Sequence, residues 1–220
     1  MNQYLDQKKS ILSTCLDLVR DGILMTTGGN LSARIPNEEK FVITPSNTDY
    51  TTMSIDDICV LDFELQQIEG RLSPSVEAGL HGAIYQTRPD VYAVIHTHQV
   101  YSSTLAILDR SIPALFDEQA RYLGREVKVV SYAPSGTKML QNKVARFVKD
   151  HNNAYLMRNH GALVLGESMD RAVNNVKLLE KCAITYLLAL STDEKVKKIP
   201  LWVREIAVSK LRKAQKEFEG

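Results

Sequence analysis

Two histidines one residue apart, His96 and His98, follow the apolar run Val91-Tyr92-Ala93-Val94-Ile95. Valine, isoleucine and tyrosine favour strands, so the run reads as a buried strand that closes on the histidines. Side chains alternate along a strand, so positions 96 and 98 face the same side and can share one ligand. Neutral imidazole is the commonest side-chain ligand for a transition metal. One solvent-facing histidine beside a structurally partnered one is the competing reading. A third histidine, His160, sits beside a glycine in the turn Arg158-Asn159-His160-Gly161. Three protein ligands with an open fourth position make up the donor set of a catalytic zinc ion. Glu77 adds a carboxylate in the first turn of a helix predicted from Ser75, where the helix dipole favours it. It could serve as a fourth ligand or as a base; a simple first-turn glutamate is the competing reading. His81, four residues on, reads as a satisfied histidine on that helix's packing face, and His151 lies in a polar loop.

Two polar turns stand upstream. Thr27-Gly28-Gly29-Asn30 carries adjacent glycines whose amides can approach a ligand closely, and Thr44-Pro45-Ser46-Asn47-Thr48-Asp49 clusters hydroxyls after a strand. Either could hold an anion in a backbone nest, and either alone could be an ordinary capped turn.

Elements to position these residues follow from periodicity. Helices are predicted over 3–21, 75–87, 100–108, from 136 and over 168–190, with a basic amphipathic helix over 200–218. Strands are predicted over 31–35, 41–44, 58–63, 66–69, 91–95, 126–132, 154–157 and 162–165. Several short hairpin-like loops and no repeating βαβ period give an α/β class with a mixed or mostly antiparallel sheet. No linker, repeat or charge block divides the 220 residues, so one domain over 1–220 is expected. The last helix either covers a core or docks on a neighbouring subunit.

Composition narrows the partners. Hydrophobic residues are 44% and charged residues 24%, the balance of a globular protein. With 27 Lys+Arg against 26 Asp+Glu, the net charge of +1 argues against nucleic acid or an anionic membrane as the main partner. No apolar run reaches membrane-spanning length and the polar start lacks a signal-peptide pattern, so a cytoplasmic location is expected. Cys15, Cys59 and Cys182 are widely spaced in apolar or helical contexts and read as buried reduced thiols.

From about residue 5 to residue 190 the chain resembles the class II aldolase/adducin family. The resemblance rests on Thr27-Gly28-Gly29-Asn30-Leu31-Ser32-Ala33-Arg34, Thr44-Pro45-Ser46, Pro74-Ser75-Val76-Glu77, Arg88-Pro89-Asp90 with His96-Thr97-His98, Tyr132-Ala133-Pro134-Ser135-Gly136-Thr137, and Asn159-His160-Gly161 followed by Glu180. Each segment is weak singly; their order and spacing together are specific. The resemblance implies a three-layer α/β/α domain with a central, mostly antiparallel sheet. It also implies a homotetramer with sites at subunit interfaces. His96, His98 and His160 would hold zinc or another divalent ion, and Glu77 would be the acidic catalytic residue. Gly29, Asn30, Ser46 and Ser75 match phosphate-binding positions. Asp117, with Glu118 as a rival, matches an acid/base residue that reaches a neighbouring subunit's site.

The activity so implied is cleavage of the C3–C4 bond of a small ketose phosphate through an enediolate. A Glu at 77 favours an aldolase, because the family's 4-epimerases usually carry Asp there. Asp117, where aldolases often carry Tyr, keeps open a 4-epimerase or a decarboxylase of a phosphorylated sugar acid. A non-catalytic interaction module like the adducin head is a remote alternative. The family commonly has Gly at position 47 and many relatives have Ser at 76, whereas this chain has Asn47 and Val76. Asn tolerates a left-handed backbone, and Val76 removes one donor from the phosphate loop.

Overall fold

The computed structural model describes residues 4–218. Its centre is a nine-stranded sheet in the order β4-β3-β2-β1-β5-β9-β8-β7-β6. The strands are β1 (Asn30–Arg34), β2 (Lys40–Ile43), β3 (Cys59–Asp62), β4 (Gln67–Glu69), β5 (Ala93–Thr97), β6 (Ile112–Pro113), β7 (Glu126–Val130), β8 (Ala154–Met157) and β9 (Gly161–Gly166). All neighbours pair antiparallel except β7 and β8. That parallel step requires a crossover, which the helix α5 (Lys138–Phe147) supplies.

Alternation along the central strands divides the core in two. Ala93 and Ile95 of β5, Ala162 and Val164 of β9, and Ala154 and Leu156 of β8 point to one face. There they meet the helices α1 (Leu5–Arg20), α3 (Val100–Ile107) and α6 (Met169–Leu190) through Ile11, Cys15, Leu18, Leu105, Val176 and Leu179. Val94, Leu163, Leu165, Tyr155 and Met157 point to the other face, against α2 (Ala78–Thr87) and α5. Both faces of the central strands are covered, which is why these segments read as continuous apolar runs. The expected three-layer α/β/α arrangement and mostly antiparallel sheet are therefore present.

Some local expectations change. The loop expected at 112–119 holds β6 and a short helix, α4 (Asp117–Tyr122). The last helix, α7 (Leu201–Lys216), packs Ala207 and Val208 against Ala114 and Ala120 of its own chain. Of its expected apolar stripe Leu211 is buried, while Trp202, Ile206 and Phe218 are exposed. The helix expected from Ser75 begins at Ala78, so Glu77 is its N-cap rather than a first-turn residue. Cys15, Cys59 and Cys182 are buried free thiols, as expected. Among the described residues no helix is long and apolar enough to cross a membrane.

Entry into β5 is fixed by a buried ion pair. Arg88 Nε and Nη2 each donate to an Asp90 carboxylate oxygen at 2.6 Å. The remaining donors reach the carbonyls of Val148 and Asn152 and the Asn153 side chain. Both side chains are buried, so removing one partner strands a charge in the interior. Arg88→Met is expected to cost about 3–5 kcal/mol of stability, read as a lower urea midpoint with an unchanged slope. A loss below 1 kcal/mol would overturn this role for the pair.

Candidate functional site

The site forms where β1, β5 and the β8–β9 turn meet the start of α2. Asn30 lies opposite His96 in the β1–β5 ladder. His96 ends within β5, and His98 follows the strand on the same side. The His96 and His98 rings lie 4.6 Å apart, and the His96 and His160 rings 4.7 Å. One ligand atom from each of the three histidines falls within 4.8 Å of the others, so the triad expected from the sequence is brought together.

Small residues let the rings approach the backbone. A Cβ on Gly161 would stand 2.4 Å from the Thr97 carbonyl oxygen and 2.7 Å from His98 Cδ2. Gly29 has a φ of +80° and would bring a Cβ to 2.4 Å from the His96 carbonyl oxygen. Only glycine fits at either place.

The donor chemistry suits a metal ion. His96 Nδ1 lies 2.8 Å from the Ala162 carbonyl, which can only accept, so Nδ1 carries the proton and Nε2 a lone pair. That Nε2 is 2.9 Å from His98 Nε2. Two lone pairs at this distance repel unless a proton or cation lies between them. Burial pushes His96 down to about 4 and also lowers His98, so both imidazoles are neutral near neutral pH, the form that binds metals. His96, His98 and His160 therefore fit a divalent ion.

Glu77 lies against the triad. Its Oε2 is 3.3 Å from His96 Nε2 and its Oε1 is 3.3 Å from His160 Nε2. Asn30 Nδ2 donates to Oε2 at 2.9 Å and Ser135 Oγ donates to Oε1 at 2.8 Å. Burial works against the charged form of Glu77. The adjacent His96 and His160, with hydrogen bonds from Asn30 and Ser135, outweigh it and hold the carboxyl below its ordinary range. His96 is itself neutral near neutral pH, so the two hydrogen bonds are the constant part of that support.

The polar turns converge on the same place. Ser46 N donates to the Ser73 carbonyl at 2.9 Å and Ser75 N to the Thr44 carbonyl at 3.1 Å, which ties the two loops together. Asn47 has a φ of +48°, the left-handed backbone its side chain tolerates. Gly29, Asn30, Ser46, Ser75, Glu77, His98 and His160 line one pocket of about 200 Å³.

Asp117 stands elsewhere. It begins α4, is exposed, and does not line this pocket; Glu118 pairs instead with Lys181 at 3.3 Å. Ser135 was not singled out as a functional residue from the sequence, and a serine between Pro134 and Gly136 carries no signal of its own role. Thr48 and Tyr50 also line the pocket.

Beneath the site β1 and α2 are joined by polar rungs. Alternate β1 residues Asn30, Ser32 and Arg34 reach Glu77, His81 and the carbonyls of Tyr85 and Arg88, in that order. His81 is fully buried, and burial pushes it down to about 3. Its folded value lies below the unfolded one, so the unfolded chain takes up this proton first as pH falls. Stability is complete above pH about 6.5 and falls by about 1.4 kcal/mol per pH unit on His81's account. The fall continues toward pH 3. Urea titrations of metal-free protein at stepped pH should show this slope shallower in His81→Gln. An identical slope in the variant would overturn the assignment.

The comparisons with known proteins point to one family. The sequence profile of the class II aldolase and adducin N-terminal domain matches residues 9–187. L-fuculose phosphate aldolase of Escherichia coli is 34% identical over 188 residues, covering 86% of each chain. L-ribulose-5-phosphate 4-epimerase of Salmonella paratyphi B is 30% identical over 186 residues, covering 80% of this chain and 82% of the relative. A solved L-fuculose 1-phosphate aldolase superposes with a TM-score of 0.89 at 33% identity, covering 94% of this chain and 96% of that one.

Proposed function

The chain belongs to the class II aldolase and adducin family, and from that premise we propose a zinc-dependent aldehyde-lyase. Its reaction is cleavage of the C3–C4 bond of a small ketose phosphate, with L-fuculose 1-phosphate the first substrate to test. One observation carries the reading: a buried carboxylate, Glu77, lies 3.3 Å from two histidine nitrogens of a metal-fitting triad. A non-catalytic module would have no use for a carboxylate buried beside three convergent imidazoles, because burying a charge is costly unless it is paired.

A divalent ion held by His96, His98 and His160 supplies Lewis-acid stabilisation of negative charge developing on substrate oxygens. The protein's own residues do the rest. Gly29 and Asn30 on one loop, with Ser46 and Ser75 on the tied pair, offer amides and hydroxyls to the substrate phosphate. Glu77 moves the proton at C3. When the C3–C4 bond breaks, its electron pair stays with C3 and a carbonyl forms at C4. The C4 hydroxyl proton leaves to a base, and C3 takes up a proton through Glu77. That carboxylate starts ionised and must first draw the proton from water; in the condensation direction the ionised Glu77 removes it. Asn30 and Ser135 hold the two Glu77 oxygens, so the carboxylate is aimed before substrate arrives.

Asp117 has no place in its own chain's pocket. In this reading it receives the hydroxyl proton in the pocket of a neighbouring copy, as part of a cytoplasmic homotetramer of single-domain subunits. The similarity to a 4-epimerase favours a second reading, in which the same bond breaks and the carbonyl fragment turns over and re-adds.

A panel of ketose 1-phosphates and 5-phosphates, read for aldehyde release and for epimer formation, separates the two. Aldehyde release with one metal ion bound per chain supports the lyase; epimer without free aldehyde overturns it. Glu77→Gln should keep the metal and lose about 10²–10⁴ in kcat. His160→Ala should lose stoichiometric metal. Unchanged turnover in the first variant, or full metal content in the second, would refute the respective role.

A further inference from the structure

The rungs between β1 and α2 contain one histidine that the proposed reaction does not use. Ser32 Oγ lies 2.6 Å from His81 Nδ1 and 2.7 Å from the Tyr85 hydroxyl, and all three side chains are buried. Only one proton arrangement leaves a single unmatched atom. Tyr85 donates to Ser32, Ser32 donates to His81 Nδ1, and the imidazole proton sits on Nε2. The reverse order leaves the Tyr85 hydroxyl proton without an acceptor as well as His81 Nε2 without a donor.

His81 Nε2 is thus a buried N–H, and it has no hydrogen-bond partner among the described residues. Asn30 Oδ1 is a buried acceptor in the same condition. The two lie on adjacent rungs. Asn30 and Ser32 share one face of β1, and Glu77 and His81 are four residues apart at the start of α2. An orphan donor and an orphan acceptor on neighbouring rungs are groups that one buried water can bridge.

We propose that His81 is a positioning residue for Glu77, acting as a fixed neutral N–H donor that serves Asn30 Oδ1 through such a bridge. Asn30 held from behind at Oδ1 keeps its Nδ2 on Glu77 Oε2, where it sits at 2.9 Å. The depressed pKa of His81 keeps the ring neutral, so the donor persists across the neutral range. This role rests on the reading of Glu77 as the residue that moves the proton.

Two measurements test it. Long-range proton–nitrogen NMR of histidine-labelled protein should show His81 as the neutral Nε2–H tautomer, and Asn30→Ala should move that N–H resonance. The Nδ1–H tautomer, or no response to Asn30→Ala, overturns the proposal whatever the reaction proves to be. In turnover, His81→Asn keeps an acceptor for Ser32 and removes the Nε2 donor, whereas His81→Gln places an amide N–H near the Nε2 position. His81→Asn should lose about tenfold in kcat, the scale of one hydrogen bond, with KM and bound metal unchanged. His81→Gln should recover most of that loss. Equal losses, or the opposite order, would mean His81 serves only to pack α2. Failure of the lyase reading appears separately, as wild-type protein that turns over no ketose phosphate, and the NMR result still decides His81.

Discussion

Everything around the pocket depends on keeping one carboxylate ionised in a buried place. Glu77 is nearly inaccessible, and an ionised carboxylate there is costly unless it is paired and hydrogen-bonded. Its surroundings come from four separate segments. Asn30 of β1 and Ser135 of the turn after β7 donate the hydrogen bonds, while His96 of β5 and His160 of the β8–β9 turn lie against the same oxygens. None can shift alone without stranding a polar group, so the carboxylate's needs fix how these segments stand relative to one another.

The sheet meets this demand with register. Asn30 opposite His96 across β1–β5, and His96 opposite Leu163 across β5–β9, place three central strands flush at the pocket. Slipping any strand by one residue would turn its site-facing side chains to the opposite layer. The glycines follow from the same closeness. Gly29 and Gly161 are the points where a loop and a turn press against the backbone of the His96–His98 segment, and a single added carbon would push it away. The β1–α2 rungs add rotation control. A purely apolar contact would let α2 turn about its axis, whereas hydrogen bonds at Glu77, His81 and the Tyr85 carbonyl set one angle. These rungs run beside a second apolar cluster that includes Phe41, Ile84 and Val94, so they carry direction and the cluster carries most of the burial.

Much of this was legible because the residue types are scarce and their backgrounds plain. Histidines at a strand end and beside Gly161 stood out against apolar runs, and alternation predicted that 96 and 98 face one side. Asn47 announced a left-handed turn because Asn tolerates one. Ser135 was not legible, since a serine in a Pro-Ser-Gly turn is ordinary and its partner lies 58 positions away in sequence. His81 was misjudged in one respect. It packs on the expected face, but only one of its two nitrogens is satisfied. Helix α4 escaped notice because its six residues, Asp117–Tyr122, are too few for periodicity to register. On α7 it is Ala207 and Val208, not Trp202 and Ile206, that meet α4. Large apolar residues dominate a pattern by eye, yet small ones fit closest between helices.

The segments that carry the family resemblance therefore do two different jobs. Arg88 and Asp90 do not line the pocket; Arg88, paired with Asp90, donates to the carbonyls of Val148 and Asn152 and so anchors the chain as it enters β5. Asn30, Glu77, His96 and His160 converge on one centre. Both kinds have to persist for the triad to form, because a strand that leads into His96 and His98 places them only if its start is pinned. Other residues stand around this centre. Val76 and Thr48 line the pocket beside the tied loops, and Asp117 stands outside it altogether. The metal-fitting centre is thus over-determined by the fold, while Val76 and Thr48 on the outer wall make none of the hydrogen bonds that hold Glu77. The chain is similar both to an aldolase and to an epimerase, as expected where one fold hosts more than one activity.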